Sequence, residues 1–396
     1  MSILLANRIQ QVKPSSTMAV AARAEELQAQ GKDIISLSVG EPDFDTPEHI
    51  KEAAIQAIRD GHTKYTPVDG IKPLKQAIIN KFAKENQFQY AMNQIIVCSG
   101  AKQCLYNLFT TMINPGDEVI IPAPYWVSYP DMVMLAEGKP VIINTRFSEK
   151  FKLSPEQLAA AITDKTRMLI LNSPANPSGL AYTLEEWKAL AEVLLRHPRI
   201  LIATDDIYEH SLWNHTPFTN ILNACPALYD RCIVVNGVSK AYAMTGWRIG
   251  YAAGPVAIIG AMKKAQSQST SGPASISQYA ALAALTGDQS CIKMMIKAYR
   301  ERHDFLIGEL RKIPGVECIP SDGTFYSFPA IHGLLNKRPE IKDDLAFSEY
   351  LLDKAELAVI AGSAFGTPGH IRLCYTVSME KLKEAMVRLH KAVGGL

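Results

Sequence analysis

The stretch from Gln94 to Pro255 decides the fold, because short β-branched runs alternate there with helical segments. The strand-like runs are IIVCS (95–99), EVIIPA (118–123), PVIINT (140–145), RMLILN (167–172), ILIATDD (200–206), CIVVNG (232–237) and RIGYAAG (248–254). Helical patterns such as AKQCLYNLFTTMI (101–113) and TLEEWKALAEVLLRH (183–197) lie between most of them. This alternation predicts an α/β fold with a largely parallel sheet covered by helices.

The flanking sequence indicates a second, smaller domain. Residues 1–16 show no strong periodicity and are interpreted as an arm, followed by a helix that Ser16 or Thr17 caps and Gly31 ends. Thr46 and Pro47 predict the start of another helix that reaches Asp60. After Gly287, a long helical pattern and later strands (TFYSFPA and IRLCYTV) predict an α+β domain. No flexible linker separates the two, so we expect them to pack closely around a cleft.

Composition excludes several classes of protein. The 396 residues carry 41 Lys and Arg against 39 Asp and Glu, a net charge of +2, which argues against a dedicated nucleic-acid surface. The seven cysteines form no C-x-x-C pair, so neither a zinc framework nor a secreted disulfide scaffold is expected, and no metal site is predicted. The first residues lack a signal-peptide core, and no run approaches a membrane span. We expect a cytoplasmic enzyme.

Two polar segments follow predicted strands and carry candidate chemistry. Lys240 lies in an apolar, glycine-rich stretch, eight residues before Arg248; its amine could have a lowered pKa and form a Schiff base, while the arginine clamps a phosphate. Asp205 ends a buried strand, and Tyr208 follows it. A carboxylate and a phenol so placed are the groups that tune pyridoxal 5′-phosphate (PLP). Seen singly, each of these residues is more often an ordinary surface or loop residue.

Three further segments lie at or just after the ends of strands in the same predicted sheet. Ser99-Gly100-Ala101 lead from a strand into a helix, whose free N–H groups make a weak but general anion site. Asn176 is held between prolines in PANPSG (174–179), and Trp126 in PYWVSY (124–129) is either a core aromatic or a plate against a planar ligand. Because these ends belong to one predicted sheet, they would share one crevice.

In this order, the residues resemble the class I PLP-dependent aminotransferases, and the resemblance covers nearly the whole chain. The motifs that carry it are SKAYAMTGWRIG (239–250), DDIYE (205–209), NSPANPSG (172–179), GEPDFDTP (40–47), KYTPVDGIKPLKQAI (64–78) and HIRLCYT (370–376). They are most similar to the bacterial aspartate aminotransferase branch. Ala175, Ser178 and Asp206 depart from the usual motifs without replacing a proposed contact.

The resemblance implies a cofactor site for PLP and a PLP-dependent transferase fold. The catalytic residues of this site would be Lys240, Asp205 and Tyr208. Lys240 would bind the cofactor and shuttle the proton, and Asp205 would keep the pyridine nitrogen protonated. Asn176 and Tyr208 would both bind the ring hydroxyl oxygen, and Trp126 would stack on the face of the ring. The residues that would hold the phosphate are Arg248, Ser239, Gly100 and Ala101. Arg372 would grip the substrate α-carboxylate beside the Gly40 backbone, with Trp126 and Asn176 bordering the substrate.

The resemblance also implies an organisation of the chain. Tyr65 would reach the phosphate in the neighbouring subunit of a homodimer. A large PLP-binding domain with a mostly parallel seven-stranded sheet would span residues 44–288. The small domain would combine residues 1–43, which include the arm, with residues 289–396.

The implied activity is amino transfer from aspartate or a similar dicarboxylic amino acid to 2-oxoglutarate by a ping-pong mechanism. Aromatic or prephenate transamination and a PLP-dependent β-lyase on the same fold remain alternatives. A third reading, the effector domain of a transcription regulator, is disfavoured because only about 16 residues precede the first helix. Amino-acid and 2-oxo-acid substrates are the expected partners, with no nucleic acid and no membrane.

A dicarboxylic substrate needs a second cation besides Arg372. Lys102, in the first turn of the helix after Gly100, is the first candidate, although a lysine there could also extend into solvent. Lys13 and Ser15 in the arm are second candidates, since the arm could fold over the site as a lid.

Overall fold

The computed structural model describes residues 3–213 and 217–395. Its strands are β1 (Ile35–Ser36), β2 (Ile95–Cys98), β3 (Glu118–Ala123), β4 (Lys139–Asn144), β5 (Thr166–Asn172), β6 (Leu201–Asp205), β7 (Cys232–Gly237), β8 (Gly250–Ala253), β9 (Tyr326–Ser327), β10 (Leu357–Ala358), β11 (Ile360–Ala361) and β12 (Ile371–Cys374). The α-helices are α1 (Asn7–Gln10), α2 (Ser16–Ala29), α3 (Glu48–Arg59), α4 (Lys72–Lys81), α5 (Ala101–Met112), α6 (Ser128–Leu135), α7 (Pro155–Ala161), α8 (Leu184–Leu195), α9 (Ile221–Ala224), α10 (Val256–Ser267), α11 (Ser275–Thr286), α12 (Ser290–Leu310), α13 (Asp344–Ala355) and α14 (Met379–Gly394).

The central sheet has seven strands in the order β2-β8-β7-β6-β5-β3-β4. Strand β8 runs antiparallel to both of its neighbours, and the other pairs are parallel. These seven strands correspond to the seven runs identified in the sequence, and the predicted mostly parallel α/β sheet is therefore confirmed. Six of the seven strands are largely apolar and buried because helices cover both faces, as expected for parallel sheets, whereas the edge strand β4 is partly exposed.

Local sequence explains where the covering helices begin. The Thr183 hydroxyl accepts a hydrogen bond from Glu186 N–H (3.2 Å), and the Glu186 carboxylate accepts one from Thr183 N–H (2.7 Å), which is a capping box at the start of α8. The buried face of α8, with Trp187, Leu190 and Leu194, then packs on the sheet.

Two predicted helix caps are wrong. Ser15 occupies the N-cap of α2 and Pro47 that of α3, and neither side chain caps its helix. The Thr46 hydroxyl instead donates to the Ala243 carbonyl (2.6 Å), because a tertiary contact replaces the local one. The arm also contains the short helix α1, which its weak periodicity did not predict.

A second core lies beside the sheet. It contains residues of α12, α13, α14, β9 and β12, together with Ile35 and Leu37 from near the start of the chain. Strand β1 pairs in parallel with β10, with Ile35 opposite Leu357. The N-terminal segment therefore packs with the C-terminal part of the chain, whereas the boundaries at residues 43/44 and 288/289 stay a prediction.

Among the described residues, we find no helix that is both long enough and apolar enough to cross a membrane.

Candidate active site

A cavity of about 360 Å³ opens where the carboxyl ends of β5, β6 and β7 meet α5 and the second core. It gathers most of the residues singled out in the sequence: Ser15, Gly40, Ala101, Lys102, Trp126, Asn176, Asp205, Tyr208, Ser239, Lys240, Arg248 and Arg372. Crevices at this edge of a parallel sheet are where α/β proteins bind ligands. Segments from both ends of the chain therefore build one site.

Lys240 presents a primary amine inside the cavity. Its Nζ donates a hydrogen bond to the Gly40 carbonyl (2.6 Å), and Nζ lies 5.9 Å from the centre of the Phe325 ring. Burial lowers the pKa of Lys240 to about 8. The lowered pKa makes this amine a potential nucleophile and base, because it increases the share of the neutral form, which alone has a free electron pair.

Asp205 supplies a buried carboxylate at the end of β6. It is 5% exposed, and the Tyr129 hydroxyl donates to its Oδ2 (2.6 Å). Burial raises the pKa of Asp205 to about 6, against the opposing effect of the Tyr129 hydrogen bond. The carboxylate is therefore charged at neutral pH, and a cationic group bound in the cavity would stabilise that charge.

Tyr208 follows one turn later and is also buried. Its hydroxyl shares a hydrogen bond with the hydroxyl of Tyr326 (2.8 Å) from strand β9. The two rings meet edge to face, with centroids 5.7 Å apart. Tyr208 therefore joins the sheet edge to the second core at the cavity wall.

A buried polar network fixes the loop that carries Tyr208. Glu209 accepts hydrogen bonds from Asn86 (2.9 Å) and Asn236 (2.8 Å) and forms an ion pair with Lys81. Burial opposes ionisation of Glu209, but Lys81 and the other partners prevail and lower its pKa to about 2.

With Glu85 and His210, Glu209 also forms a group able to hold a metal ion, although the Lys81 ammonium already occupies one side. The expectation that no metal is needed stays a prediction.

The other end of the cavity is shaped to receive an anion. Helix α5 begins at Ala101 after Gly100, whose φ of +91° is a conformation that side-chain-bearing residues rarely adopt. A Cβ on Gly250 would lie only 2.7 Å from Ala101 Cα, so the chain packs closely under the helix N-terminus. Arg248 donates to the Thr245 carbonyl (2.9 Å) and has a positive φ of 56°, a strained backbone of the kind found at functional sites.

Arg372 and Asn176 form a second polar cluster in the cavity lining. The Arg372 Nη1 group donates to Asn176 Oδ1 (3.0 Å), and Nη2 donates to the Ser38 carbonyl. Asn172 in turn accepts from the Asn176 N–H (2.8 Å) and donates to the Asp205 carbonyl (2.7 Å). Among the described residues, the buried Nε of Arg372 has no hydrogen-bond partner. A guanidinium with a free donor can bind a carboxylate.

Lys102 and Trp126 line the outer part of the cavity. The Lys102 Nζ atom lies 4.9 Å from the centre of the Trp126 ring, within the range of a cation–π contact. Partial burial lowers the pKa of Lys102, and the charge of Arg248 lowers it further. The lysine is thus held over the aromatic ring as well as extending towards solvent.

Three predicted residues lie outside the cavity lining. Gly100 is buried directly behind Ala101, where a Cβ would meet the Arg248 guanidinium. Lys13 lines the adjacent cavity of about 790 Å³, which shares Ser15, Lys102 and Arg248 with the first. Tyr65 is fully exposed and contributes nothing to the cavity of its own chain.

Tyr129, Asn172 and Tyr326 are site residues that the sequence analysis did not identify. Tyr129 stands three residues after Trp126 in a helical turn, a spacing that could have indicated a shared face. Asn172 ends a predicted strand two residues before PANPSG, and its position at a strand end could have indicated a place in the site. Tyr326 lies in a run interpreted only as a strand.

Residues 32–389 match the family described as aminotransferase class I and II, and the chain belongs to that family. It is an aminotransferase.

Individual relatives are similar over almost their entire length. The chain is 57% identical over 390 residues to an aspartate/prephenate aminotransferase of Nitrosomonas europaea, covering 97% of this chain and 98% of that one. A crystal structure of the aspartate aminotransferase from Rhizobium meliloti superimposes with a TM-score of 0.96 at 46% identity, covering 99% of both chains. The aspartate aminotransferase from Thermus thermophilus with maleate gives a TM-score of 0.92 at 42% identity, covering 99% of this chain and 100% of that one. The predicted family and fold are therefore confirmed.

Proposed function

We propose that this aminotransferase uses PLP to move the amino group of aspartate, or a similar dicarboxylic amino acid, to 2-oxoglutarate, and that prephenate is a second acceptor. The observation that carries the proposal is the meeting of a lysine of lowered pKa, a buried carboxylate and a buried arginine in one cavity. Relatives named aspartate/prephenate aminotransferases support the choice of substrates.

The residues present fit PLP. The site offers a primary amine for an aldehyde, a buried carboxylate for a pyridinium nitrogen, and hydroxyl and amide groups for a ring oxygen. The N-terminus of α5 and the Arg248 guanidinium offer hydrogen-bond donors for a phosphate. The Asn176 Oδ1 atom is occupied by Arg372, which leaves the Nδ2 group as the donor towards a bound ring.

Each residue then has a role that its surroundings support. When bound, PLP supplies an electron sink for the negative charge that develops at the amino acid's α-carbon. Lys240, with a pKa of about 8, takes the proton from the α-carbon and returns it. Asp205 keeps the pyridine nitrogen protonated through a charge-assisted hydrogen bond. Tyr208 and Asn176 bind the ring hydroxyl oxygen, and Trp126 covers the ring face.

The ends of the two ligands are held by separate cations. Arg248, Ser239 and the Gly100–Ala101 turn bind the phosphate. Arg372 turns its free donor to the substrate α-carboxylate, beside Gly40. Arg248 and Arg372 both border the cavity that contains Lys240, so a cofactor and a substrate held by these cations would have their reacting atoms near that amine.

A panel of amino donors against 2-oxoglutarate, oxaloacetate and prephenate tests the function. Purified holoenzyme should show a visible or near-ultraviolet cofactor band, and glutamate should form from aspartate and 2-oxoglutarate. Release of ammonia and pyruvate without glutamate would instead identify a β-lyase. Absence of the band together with absence of turnover would refute the PLP assignment.

We further propose that Lys102 binds the distal carboxylate of dicarboxylic substrates. Lys102→Met keeps an apolar stem over Trp126 but removes the charge, so it isolates the electrostatic contact. We expect kcat/KM for aspartate to fall roughly 10- to 150-fold, the effect of one charge-assisted hydrogen bond, while kcat/KM for alanine and phenylalanine is unchanged.

Steady-state kinetics with these three donors checks the Lys102 prediction. An equal loss for aspartate and alanine would show that Lys102 does not distinguish them. Lys13→Ala and Ser15→Ala then become the variants to measure, because both residues border the adjoining cavity.

We also propose a homodimer in which Tyr65 completes the phosphate site of the neighbouring subunit. A fully exposed tyrosine that contributes nothing to its own cavity supports this arrangement. Size-exclusion chromatography with light scattering measures the oligomeric state.

We propose in addition that the large PLP-binding domain spans residues 44–288 and that the small domain is built from residues 1–43 and 289–396.

Mixed dimers test the reach of Tyr65. We expect Tyr65→Ala alone to bind PLP about 10- to 150-fold more weakly, because one hydrogen bond to a charged group is lost. Mixing inactive Lys240→Ala with Tyr65→Ala subunits should create one intact site per heterodimer, and about one quarter of the wild-type turnover after random exchange. Turnover no higher than that of the Tyr65→Ala subunits would place Tyr65 in its own subunit's site.

A further inference from the structure

Tyr326 contacts three of the proposed site residues at once. It lies on β9 beside β12, the strand that carries Arg372. Its hydroxyl is 2.8 Å from the Tyr208 hydroxyl and occupies the space that a side chain on Gly40 would need. The Arg372 Cζ atom lies 4.6 Å from the centre of its ring. All but 1% of Tyr326 is buried, so these contacts exclude water.

We propose that Tyr326 is a positioning residue with two separable roles: its hydroxyl directs the Tyr208 hydrogen towards the cofactor, and its ring orients Arg372 for the substrate. This proposal rests on the proposed PLP function and assigns that site a further residue. The first role concerns cofactor binding, and the second concerns the amino acid.

The hydroxyl role follows from counting hydrogens. A tyrosine hydroxyl has one hydrogen to donate, and only one hydrogen can lie between the two oxygens. Tyr208 can therefore donate to a bound ring oxygen only when Tyr326 is the donor within the pair. The hydrogen bond that Tyr208 then receives polarises its own O–H group and makes it a stronger donor.

The ring role follows from the packing of Arg372. Its guanidinium contacts the rings of both Tyr326 and Phe365, the latter with its centre 4.9 Å from Cζ. A cation held against two aromatic rings is restricted in orientation while its free donor can still bind a carboxylate. Removing one face while leaving Phe365 should loosen that orientation without removing the charge.

Two substitutions separate the roles. Tyr326→Phe keeps the ring and removes the hydroxyl. Tyr326→Leu removes both. Tyr375→Phe is the matched control, since Tyr375 is similarly buried in the same core and, within the described part of the chain, its hydroxyl donates only to the Thr324 carbonyl (3.4 Å). For each holoenzyme we would measure the Kd of PLP, the pH midpoint of the cofactor's visible absorbance, and kcat and KM for aspartate and alanine.

For Tyr326→Phe we expect about a 2- to 10-fold higher Kd for PLP, the effect of one hydrogen bond, with KM for both donors within about twofold of wild type. The absorbance midpoint should move upward, because a weaker Tyr208 donor stabilises the deprotonated form of the cofactor less. The shift should vanish in a Tyr208→Phe background, since Tyr326 acts through Tyr208. Tyr326→Leu should in addition raise KM for both donors about 3- to 30-fold.

The possible outcomes discriminate between the proposals. A Tyr326→Phe enzyme that matches Tyr375→Phe in Kd and midpoint would overturn the hydroxyl role, as would a midpoint shift that persists without the Tyr208 hydroxyl. Tyr326→Leu with an unchanged KM would overturn the ring role. Wild-type protein that binds no PLP would overturn the proposed function and this proposal together.

Discussion

Lys240→Ala is expected to abolish transamination, lowering kcat for aspartate by about 10⁴-fold or more, because both the nucleophilic amine and the proton carrier are lost. The substitution removes a side chain whose only hydrogen bond among the described residues is to the Gly40 carbonyl, so the fold should survive. Mass spectrometry after borohydride reduction should find PLP attached to wild-type protein and absent from position 240 of the variant.

Two controls make the Lys240 result interpretable. Lys264→Ala removes an exposed lysine of α10 and should match wild type in every measurement. A small primary amine added to Lys240→Ala should restore part of the turnover, because it can occupy the space that the side chain leaves. Turnover of Lys240→Ala near the wild-type level would refute the assignment of Lys240.

Asp205→Asn carries the second largest expected effect. Asparagine keeps the size and can still accept the Tyr129 hydrogen bond, but it removes the charge that pairs with a protonated ring nitrogen. Removal of one partner of a buried ion pair costs about 3–5 kcal/mol, so we expect kcat to fall roughly 100- to 5,000-fold. PLP should still attach to Lys240, because the phosphate contacts and the amine are untouched.

The same substitution should stabilise the cofactor-free protein above pH 6. Burial raises the pKa of Asp205 from 3.8 to about 6, so the folded state binds this proton more tightly than the unfolded state. The corresponding stabilisation is complete below pH 3.8 and disappears as the pH rises to about 6, where a buried charge remains. Asparagine avoids that charge, and the gain reaches at most about 3 kcal/mol at neutral pH.

Urea unfolding of the cofactor-free wild type and Asp205→Asn at pH 4, 5, 6 and 7 measures this gain. The two curves should converge at the lowest pH and separate as the pH rises. A constant difference across the series would show that Asp205 does not titrate in this range. Asp206→Asn is a useful comparison, since its carboxylate is also buried but accepts from Asn220 outside the cavity (2.6 Å).

The sheet could be predicted because all of its strands except the edge strand β4 are largely buried on both faces. Continuous apolar runs such as Val119–Ile121 and Ile233–Val235 have no solvent-facing positions, so their composition alone marks them as central strands. The short strands β10 and β11 were not predicted, although both lie in one buried apolar run, 357–361. The two strands pair with different partners, β10 with β1 near the other end of the chain and β11 with β12, and the choice of partner leaves little trace in local composition.

The residues that line the cavity were predictable where they lie at or just beyond a strand end. Asp205 ends β6, and Asn176 and Lys240 follow β5 and β7 within four residues, so the topology brings all three together. Arg372 was found through family resemblance alone. Tyr326 was not identified from the sequence because its place in the site depends on a contact with Tyr208, 118 residues away. A tyrosine within a strand is ordinarily a core residue.

The parallel pairing of β1 with β10 has a consequence for synthesis on the ribosome. Ile35 is synthesised about 320 residues before its partner Leu357. At typical elongation speeds this leaves β1 unpaired for on the order of tens of seconds. Ile35 and Leu37 then stay exposed while the central sheet, whose strands lie between Ile95 and Ala253, is already complete in the nascent chain. The N-terminal segment is consequently a natural contact for chaperones until translation ends.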